Sequence, residues 1–356
     1  MTAVDAHPHA PSPADLGRHL QETLDWHFDP ATGSRFWLDL AGGLGFDPRT
    51  DIRSVADLRR FPDVGELLRT VPAEDLIPRG GTGTYEVFDS GGTTGAPKRV
   101  VDATSRVANA DWCADVLDAH GFPARGNWLH IAPCGPHVVG RTVRRIATRR
   151  NGLFFTVDMD PRWVRKILAD GRDELAGEYV QHVLDQMEAI VTTQDIRVLF
   201  ITPPMLEAAC ARPAIYDVLS ERLEGLLWAG TSAGPETLRL IEESLFPRAR
   251  VCGIYGNTLM GIAPQRPRAA GDEHPCVFRP YHPASVVEIV DPDTRIPVAY
   301  GERGQVLMHL LFRDMFLPNV LERDTALRIP PASGDVVDGI ASVLPVATEE
   351  IVEGVY

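Results

Sequence analysis

The middle of the chain alternates short, uniformly apolar segments with stretches of helical type. Strands alternating with helices predict a parallel sheet formed by right-handed crossovers. Its three clearest strands are predicted at Arg197–Thr202 (RVLFIT), Gly225–Ala229 (GLLWA) and Val251–Tyr255. Such crossovers bring all carboxyl ends to one edge, where open α/β sheets bind ligands. The loops expected to meet at this edge are 203–204, 230–234 and 256–261.

The pattern changes on both sides of this segment, which predicts the following organisation. We expect a disordered lead-in (1–14), a segment of short helices and loops (15–80), an α/β core (81–262), a surface loop (263–283) and a β-meander subdomain that completes the same domain (284–356). The meander is predicted from Ser285–Val290 and Gln305–Phe312, which are separated by turn residues.

Two predicted strands flank the glycine-rich segment Ser90–Lys98 (SGGTTGAPK). Its small residues let backbone N–H groups approach an anion, the hydroxyls add donors, and Lys98 supplies a positive charge. The segment differs from the nucleotide-binding pattern GxxxxGK[ST], because Pro97 precedes the lysine and no Ser or Thr follows it. A glycine-rich hairpin turn is the alternative, but a turn does not require three hydroxyls and a lysine.

Composition excludes several classes of function. The 356-residue chain has 35 Lys and Arg against 49 Asp and Glu, and a formal charge of −14 disfavours nucleic acid as a partner. Its apolar runs are shorter than the ~18–20 residues of a membrane span, and the N-terminus does not resemble a secretory signal. The 5 cysteines are scattered, which predicts reduced thiols in the cytoplasm and no zinc site. Among the basic residues only Lys98 and Lys166 are lysines, which indicates a chemical requirement for Lys98.

Further motifs occur in the order found in a known family. ITPPML (201–206), WAGTSAG (228–234), IYGNT (254–258), IVDPDTRIPVAYGERGQV (289–306) and SGD (333–335) follow the glycine-rich segment. Together they resemble the adenylate-forming superfamily of acyl- and aryl-CoA ligases, adenylation domains and luciferases, over about residues 45–340. TDIRSVADLRRFP (50–62) resembles the phenylacetate-CoA ligase branch. In its short length and its YGNTLMG segment, the chain resembles the adenylating proteins of phenazine-antibiotic (griseoluteic acid) biosynthesis.

This resemblance implies an α/β fold, the large N-terminal domain of adenylate-forming enzymes. Parallel sheets would be flanked by helices, and a small antiparallel β meander would complete the domain. The resemblance also implies catalytic roles for Lys98, on the ATP phosphates, and Thr258, on the α-phosphate. The residues implied to bind the nucleotide are Ser90, Gly91, Gly92, Thr93, Thr94 and Gly95 at the phosphates, Gly230, Thr231, Ser232, Tyr255, Gly256 and Asn257 on the adenine side, and Asp335 at the ribose.

The acid substrate is assigned less directly. The candidate residues are Gly135, His137, Phe200 and Trp228. His137 stands where a helix is predicted to begin, and a helix-end histidine is more often structural than acid-binding. Core packing explains Phe200 and Trp228 as well as an aromatic pocket does. Taken alone, Tyr255 and Asp335 also have ordinary structural explanations, as a core aromatic and a turn residue.

Two features depart from the family. Its members have a magnesium-binding Glu where this chain has Leu259, which cannot coordinate a hard cation. We therefore assign no residue to a metal and expect Mg²⁺ to be held mainly by ATP phosphates and water. The family's small C-terminal lid domain carries a further lysine, but no lysine follows Lys166, so we expect the lid to be absent.

Three hypotheses follow. The first is an ATP-dependent ligase that converts an aromatic acid to its acyl-adenylate, in phenazine-like antibiotic biosynthesis, and hands it to a downstream reductase or acyl transferase. The second is a non-catalytic protein that binds a nucleotide, an acyl-adenylate or an aromatic acid. The third is an acid–CoA ligase that needs a separately encoded C-terminal domain. No nucleic-acid or membrane partner is expected, and the oligomeric state stays open, with a homodimer among the alternatives.

Overall fold

The computed structural model describes residues 13–92, 95–269, 271–332 and 337–346. The helices are α1 Pro13–Phe28, α2 Arg35–Ala41, α3 Pro48–Asp51, α4 Ala73–Leu76, α5 Ser105–Ala119, α6 Val138–Arg149, α7 Pro161–Ala169, α8 Asp173–Thr193, α9 Pro203–Cys210, α10 Pro213–Arg222 and α11 Pro235–Leu240. Shorter helical turns occupy Val55–Arg60, Leu67–Arg69 and Ile241–Leu245. Within the described residues, no helix combines the length and apolar character of a membrane span.

The strands are β1 Glu86–Asp89, β2 Arg99–Asp102, β3 Asn127–Ile131, β4 Phe154–Val157, β5 Ile196–Ile201, β6 Gly225–Trp228, β7 Arg250–Asn257, β8 Gly261–Pro264, β9 Val277–Phe278, β10 Ser285–Val290, β11 Arg303–Leu311, β12 Phe316–Ile329 and β13 Gly339–Pro345. The described residues form two compact units. Unit 1 contains those within 13–109, 257–261 and 277–346, and unit 2 contains those within 110–256 and 262–276.

Unit 2 is built on a sheet with the strand order β4-β3-β5-β6-β7-β8. Strands β4, β3, β5, β6 and β7 are parallel to one another, as the alternation of strands and helices predicts. Helices α9, α10 and α11 each begin with proline, whose fixed φ suits the first helical position. The carboxyl ends of β5, β6 and β7 therefore lie on one edge, in agreement with the sequence-based expectation.

Alternate side chains of the central strands enter two hydrophobic clusters, one on each face of the sheet. Leu199 and Ile201 belong to one cluster, and Val198 and Phe200 belong to the other. A strand that is buried on both faces has an uninterrupted apolar sequence, which is why RVLFIT is so conspicuous in the chain.

Unit 1 contains a five-stranded antiparallel sheet with the order β10-β11-β12-β13-β9. Its pairing of β10 with β11 confirms the predicted meander. Helices α1–α4 lie in the N-terminal segment for which short helices are expected. Their aromatic side chains pack with Phe316 of β12. Trp37 lies 5.2 Å from Phe316 between ring centroids, and its indole N–H donates to the Phe316 carbonyl over 2.8 Å.

The segment 263–283 differs from the predicted surface loop. Strand β8 continues to Pro264 and β9 occupies Val277–Phe278, with both strands buried. The prediction was wrong for these residues because each strand is too short to show a period of two. Strand β8 forms by pairing with β7, and β9 forms by pairing with β13, so the neighbouring strand supplies the hydrogen bonds in each case.

Candidate functional site

Unit 1 presents the glycine-rich segment as the tip of a β-hairpin. Strands β1 and β2 pair antiparallel up to Asp89 and Arg99, so the strand–loop–strand prediction is confirmed. Ser90 closes the loop with two hydrogen bonds: its N–H donates to the Lys98 carbonyl (2.9 Å), and its hydroxyl accepts from the Lys98 N–H (2.8 Å). The chain thus enters and leaves the loop at one fixed point.

Two glycines in this loop have backbone conformations that other residues rarely adopt. Gly92 has φ +64° and Gly95 has φ +138°. A β-carbon at Gly92 would also stand 3.1 Å from the Gly95 carbonyl oxygen. Gly91 lies beside them and is half-buried. Thr93 and Thr94, predicted to bind phosphate, lie outside the described residues.

The ammonium group of Lys98 lies at the base of this loop. Its Nζ is 3.7 Å from a carboxylate oxygen of Glu66. A β-carbon placed on Gly65 would be only 3.1 Å from the same Nζ, so the ammonium group lies directly against that glycine. Desolvation raises the pKa of Glu322 to about 7, and the positive charge of Lys98 opposes this shift. Lys98 therefore has acidic groups from two other segments of unit 1 in its surroundings.

Thr258 lies next to the base of the same loop. Its hydroxyl donates to the carbonyl of Asp89 (3.2 Å), the residue immediately before Ser90. The Asn257 side chain accepts hydrogen bonds from the N–H groups of Leu259 (2.9 Å) and Met260 (2.8 Å), which holds this turn in shape. The structure thus brings Ser90, Lys98 and Thr258 together, although the segment 110–256 of unit 2 separates Lys98 from Thr258 in the sequence.

The buried side chain of Arg106 also holds the turn at Thr258 in place. The sequence analysis did not identify this residue. Its guanidinium donates to the carbonyls of Thr258 (2.8 Å) and Leu259. Gly261 leaves room for it, because a β-carbon there would stand 2.7 Å from Nη1 of Arg106. The carboxylate of Asp102 accepts from the Arg106 N–H (2.9 Å); burial raises the pKa of Asp102 to about 6, against the charge of Arg106.

Leu259, which stands where the sequence resemblance implies a magnesium-binding Glu, is only 2% exposed. In the part of the chain that the structure describes, no group of three or more His, Cys, Asp or Glu side chains is arranged to hold a metal ion. These residues therefore identify no protein ligand for a metal ion.

Unit 2 holds the other predicted site residues at the carboxyl edge of its parallel sheet. Phe200 and Trp228 lie near the ends of β5 and β6 and are buried. Tyr255, also buried, and exposed Gly256 belong to β7. Gly230 (φ +89°), Thr231 and Ser232 form the loop after β6. Asp335, the predicted ribose ligand, lies outside the described residues.

His137 caps the N-terminus of α6, as predicted from its position, and Gly135 lies exposed in the preceding loop. His130 lies deeper in unit 2, at β3, and its ring stacks on Phe200 with 4.8 Å between centroids. Burial lowers the pKa of His130 to about 4, so its imidazole is neutral near pH 7. Its Nε2 contacts the carbonyl oxygen of Pro133 at 3.4 Å.

Several buried polar atoms at this edge have no hydrogen-bond partner. Among the described residues, four such atoms are His130 Nδ1, Thr202 Oγ1, Trp228 Nε1 and Thr231 Oγ1. They follow or end the neighbouring strands β3, β5 and β6. Buried polar groups are normally hydrogen-bonded, so this cluster favours a polar ligand in unit 2. Thr202 was missed in the sequence analysis, although its place directly after a buried strand was a usable signal.

Known proteins resemble this chain in structure but not detectably in sequence. No known family matched the sequence, and no curated protein matched it significantly. An open conformation of 2-hydroxyisobutyryl-CoA ligase, in complex with 2-HIB-AMP and CoA, is similar with a TM-score of 0.64 and 17% identity, over 92% of this chain and 73% of that chain. The same ligase in its thioesterification state has a TM-score of 0.65 and 17% identity, over 94% and 68%.

ATP-bound MatB from Rhodopseudomonas palustris is also similar, with a TM-score of 0.50 and 16% identity, over 73% of this chain and 47% of that chain. At these identities, the similarity concerns the fold. It agrees with the α/β architecture, the parallel sheet and the antiparallel meander expected from the motifs. The chain therefore has the adenylate-forming ligase fold of these enzymes.

Proposed function

We propose that this protein activates a carboxylic acid with ATP, forming an acyl-adenylate and pyrophosphate. The observation that carries the proposal is the hairpin loop of unit 1, closed by Ser90, with Lys98 and the Thr258 hydroxyl at its base. Structures with the same fold support it, because one ligase was solved with 2-HIB-AMP and another with ATP.

In this reaction, a carboxylate oxygen attacks the α-phosphorus, and the bond from that phosphorus to the β-bridging oxygen breaks. Pyrophosphate leaves with the electron pair. Lys98 would neutralise phosphate charge. Thr258, whose hydroxyl now donates to Asp89, would turn its hydrogen towards an α-phosphate oxygen. Catalysis would come from positioning and electrostatics, without a covalent enzyme intermediate. Mg²⁺ would travel with ATP, coordinated by its phosphates and water.

The sequence resemblance assigns the adenine and the acid to residues of unit 2. The aromatic side chains of His130, Phe200 and Trp228 lie buried near the carboxyl edge of the parallel sheet, and the polar atoms without partners there would supply hydrogen-bond donors and, at His130 Nδ1, an acceptor. An aromatic acid, including acids of the phenazine type, is the substrate class that the sequence resemblance implies. A downstream reductase or acyl transferase would consume the adenylate. All five cysteines are free thiols, which supports a cytoplasmic location.

The test is acid-dependent release of pyrophosphate by the full chain, across a panel of aromatic and short aliphatic acids. Lys98→Ala should abolish release. Lys166→Ala is a matched control, because Lys166 is the chain's other lysine and is 75% exposed. Release that is equal with and without acid, or that survives in Lys98→Ala, would refute the proposal.

A binding protein is the second candidate, favoured by the buried Leu259 at the family's magnesium-ligand position. It predicts that ATP or an acyl-adenylate binds to the wild type without any release of pyrophosphate. Calorimetric titration with ATP, run beside the release assay, separates the two functions. Thioester formation only after addition of a second polypeptide would instead indicate a divided acid–CoA ligase.

A further inference from the structure

We propose that Arg69 is a second phosphate-binding cation beside Lys98, and that Glu66 is the counter-ion that both cations exchange for a polyphosphate. This inference rests on the proposed function, since it concerns the same phosphate loop. It adds two residues from outside the glycine-rich segment.

Arg69 lies directly against the loop. Its Nη1 donates to the carbonyl of Ala96, and a β-carbon on Gly95 would stand 3.8 Å from Nη1. Leu68, fully buried, anchors the helical turn that carries Arg69. The guanidinium is therefore attached to the loop at one end and to the core of unit 1 through its own turn.

The other edge of the guanidinium binds Glu66 at two points. Nε donates to Oε2 (2.7 Å), and Nη2 donates to Oε1 (3.2 Å). A phosphate matches this paired-donor geometry as well as a carboxylate does. A phosphate that replaced Glu66 would thus meet two aligned donors, while Nη1 stayed on Ala96.

Glu66 also pairs with Lys98, so one carboxylate bridges both cations. The hydrogen bond from Arg69 and the charge of Lys98 lower the pKa of Glu66, which keeps it ionised. Its side chain is 75% exposed, whereas those of Arg69 and Lys98 are 13% and 18% exposed. An exposed ion pair contributes little free energy, so an incoming anion can displace Glu66 while the cations stay in place.

The charge of the ligand gives a reason for a second cation. Leu259 contributes no carboxylate that would tie a magnesium ion to the protein, so the attachment of the phosphates would depend more on side-chain cations. Arg69 adds a positive charge at the loop.

A purely structural role predicts a different response. If Glu66 only holds Arg69 in position, then Glu66→Gln should weaken anion binding. If Glu66 competes with the anion, Glu66→Gln should strengthen it. The sign of this one effect separates the two roles.

The experiment is calorimetric titration of the full chain with inorganic tripolyphosphate, without and with Mg²⁺. Arg69→Ala should raise Kd about 10- to 100-fold, as expected for loss of a charged hydrogen-bonding group. Arg69→Lys should restore part of this loss, and Glu66→Gln should lower Kd about threefold or more. Arg18→Ala and Asp15→Asn are matched controls, because Arg18 and Asp15 form an exposed ion pair with the same three-residue spacing.

Thermal melts show whether each variant folds. If Arg69→Ala does not fold, the binding constants of Arg69→Lys and Glu66→Gln decide the outcome. An unchanged Kd in a folded Arg69 variant, weaker binding in Glu66→Gln, or no binding to the wild type would overturn the inference. Pyrophosphate release in the wild type with unaltered binding in Arg69→Ala would refute this inference alone. Arg69-dependent binding without any acid-dependent release would sustain it and refute the proposed enzyme.

Discussion

The guanidinium of Arg106 donates a hydrogen bond of 2.8 Å to the main-chain carbonyl of Thr258, 152 positions further along the chain. Arg106 is 4% exposed, and the same nitrogen also donates to the Leu259 carbonyl. The backbone that carries the Thr258 hydroxyl is thus set by a buried charge in helix α5. Thr258 acts in the proposed reaction, and Arg106 is a positioning residue for it.

Replacing Arg106 with Ala should lower the free energy of unfolding by about 3–5 kcal/mol, because two buried carbonyls lose their donor and Asp102 loses a compensating charge. Arg106→Lys should lose less, since it keeps the charge but not the forked geometry. Urea unfolding measures both. Arg239→Ala, at a 54% exposed arginine, is the control. A loss below about 1 kcal/mol for Arg106→Ala would contradict this role.

Leu259→Glu tests whether this position can still serve a metal. Leu259 is buried, so an ionised carboxylate at this position should lower the free energy of unfolding by several kcal/mol. This cost is at least that of burying an unpaired polar group. Leu259→Met, which conserves volume, should lose less than about 1.5 kcal/mol. Unfolding curves and Mg²⁺ titrations of pyrophosphate release provide the measurements. A stable Leu259→Glu variant that needs less Mg²⁺ would show that a metal ligand is tolerated here.

Gly65→Val should displace the Lys98 ammonium group, because the β-carbon alone would stand 3.1 Å from Nζ. We expect the Kd for ATP to rise about tenfold, similar to the loss of one charge-assisted contact. Thermal melts measure any loss of stability separately, because the same β-carbon would also stand 3.0 Å from Oδ1 of Asp63. Gly17→Ala, where an added β-carbon meets nothing within 4 Å, serves as the control. An unaltered Kd in a folded Gly65→Val protein would place Lys98 outside the nucleotide site.

His27 predicts a loss of stability in mild acid. Its Nε2–H donates to the Phe312 carbonyl (2.7 Å), and burial lowers its pKa from 6.5 to about 4. Between these values the unfolded chain binds a proton that the folded chain does not, so the free energy of unfolding falls as pH falls from about 6.5 to 4. The contribution of His27 is up to about 3 kcal/mol.

Urea unfolding at several pH values in this window measures the effect. His27→Gln keeps a donor but does not titrate, so its stability should depend less steeply on pH than that of the wild type. His182→Gln, at an exposed histidine, is the matched control and should leave the slope unchanged. Equal slopes in wild type and His27→Gln would refute this role. The raised pKa of Asp102 acts in the opposite direction, which is why only the difference between variants is diagnostic.

Much of the fold was predictable because its signals are local. The buried strands of unit 2 have uninterrupted apolar runs, prolines mark the helix starts, and Ser90–Lys98 is flanked by extended residues. The order of these elements was enough to predict a parallel sheet and the edge at which its strands end. The strands within 263–283 were not predictable, because strands of two to four residues depend on the partner strand.

The sequence by itself therefore determined the alternation of strands and helices and the position of the glycine-rich loop, since hydrophobic period and turn chemistry act between near neighbours. Only the tertiary structure decided what surrounds that loop. Arg69 reaches Ala96 across 27 positions, and Arg106 reaches Thr258 across 152. Such contacts produce no periodic pattern in the sequence, because the sequence does not distinguish an arginine that binds a distant carbonyl from one that is exposed to solvent. Their geometry arises when packing fixes both segments.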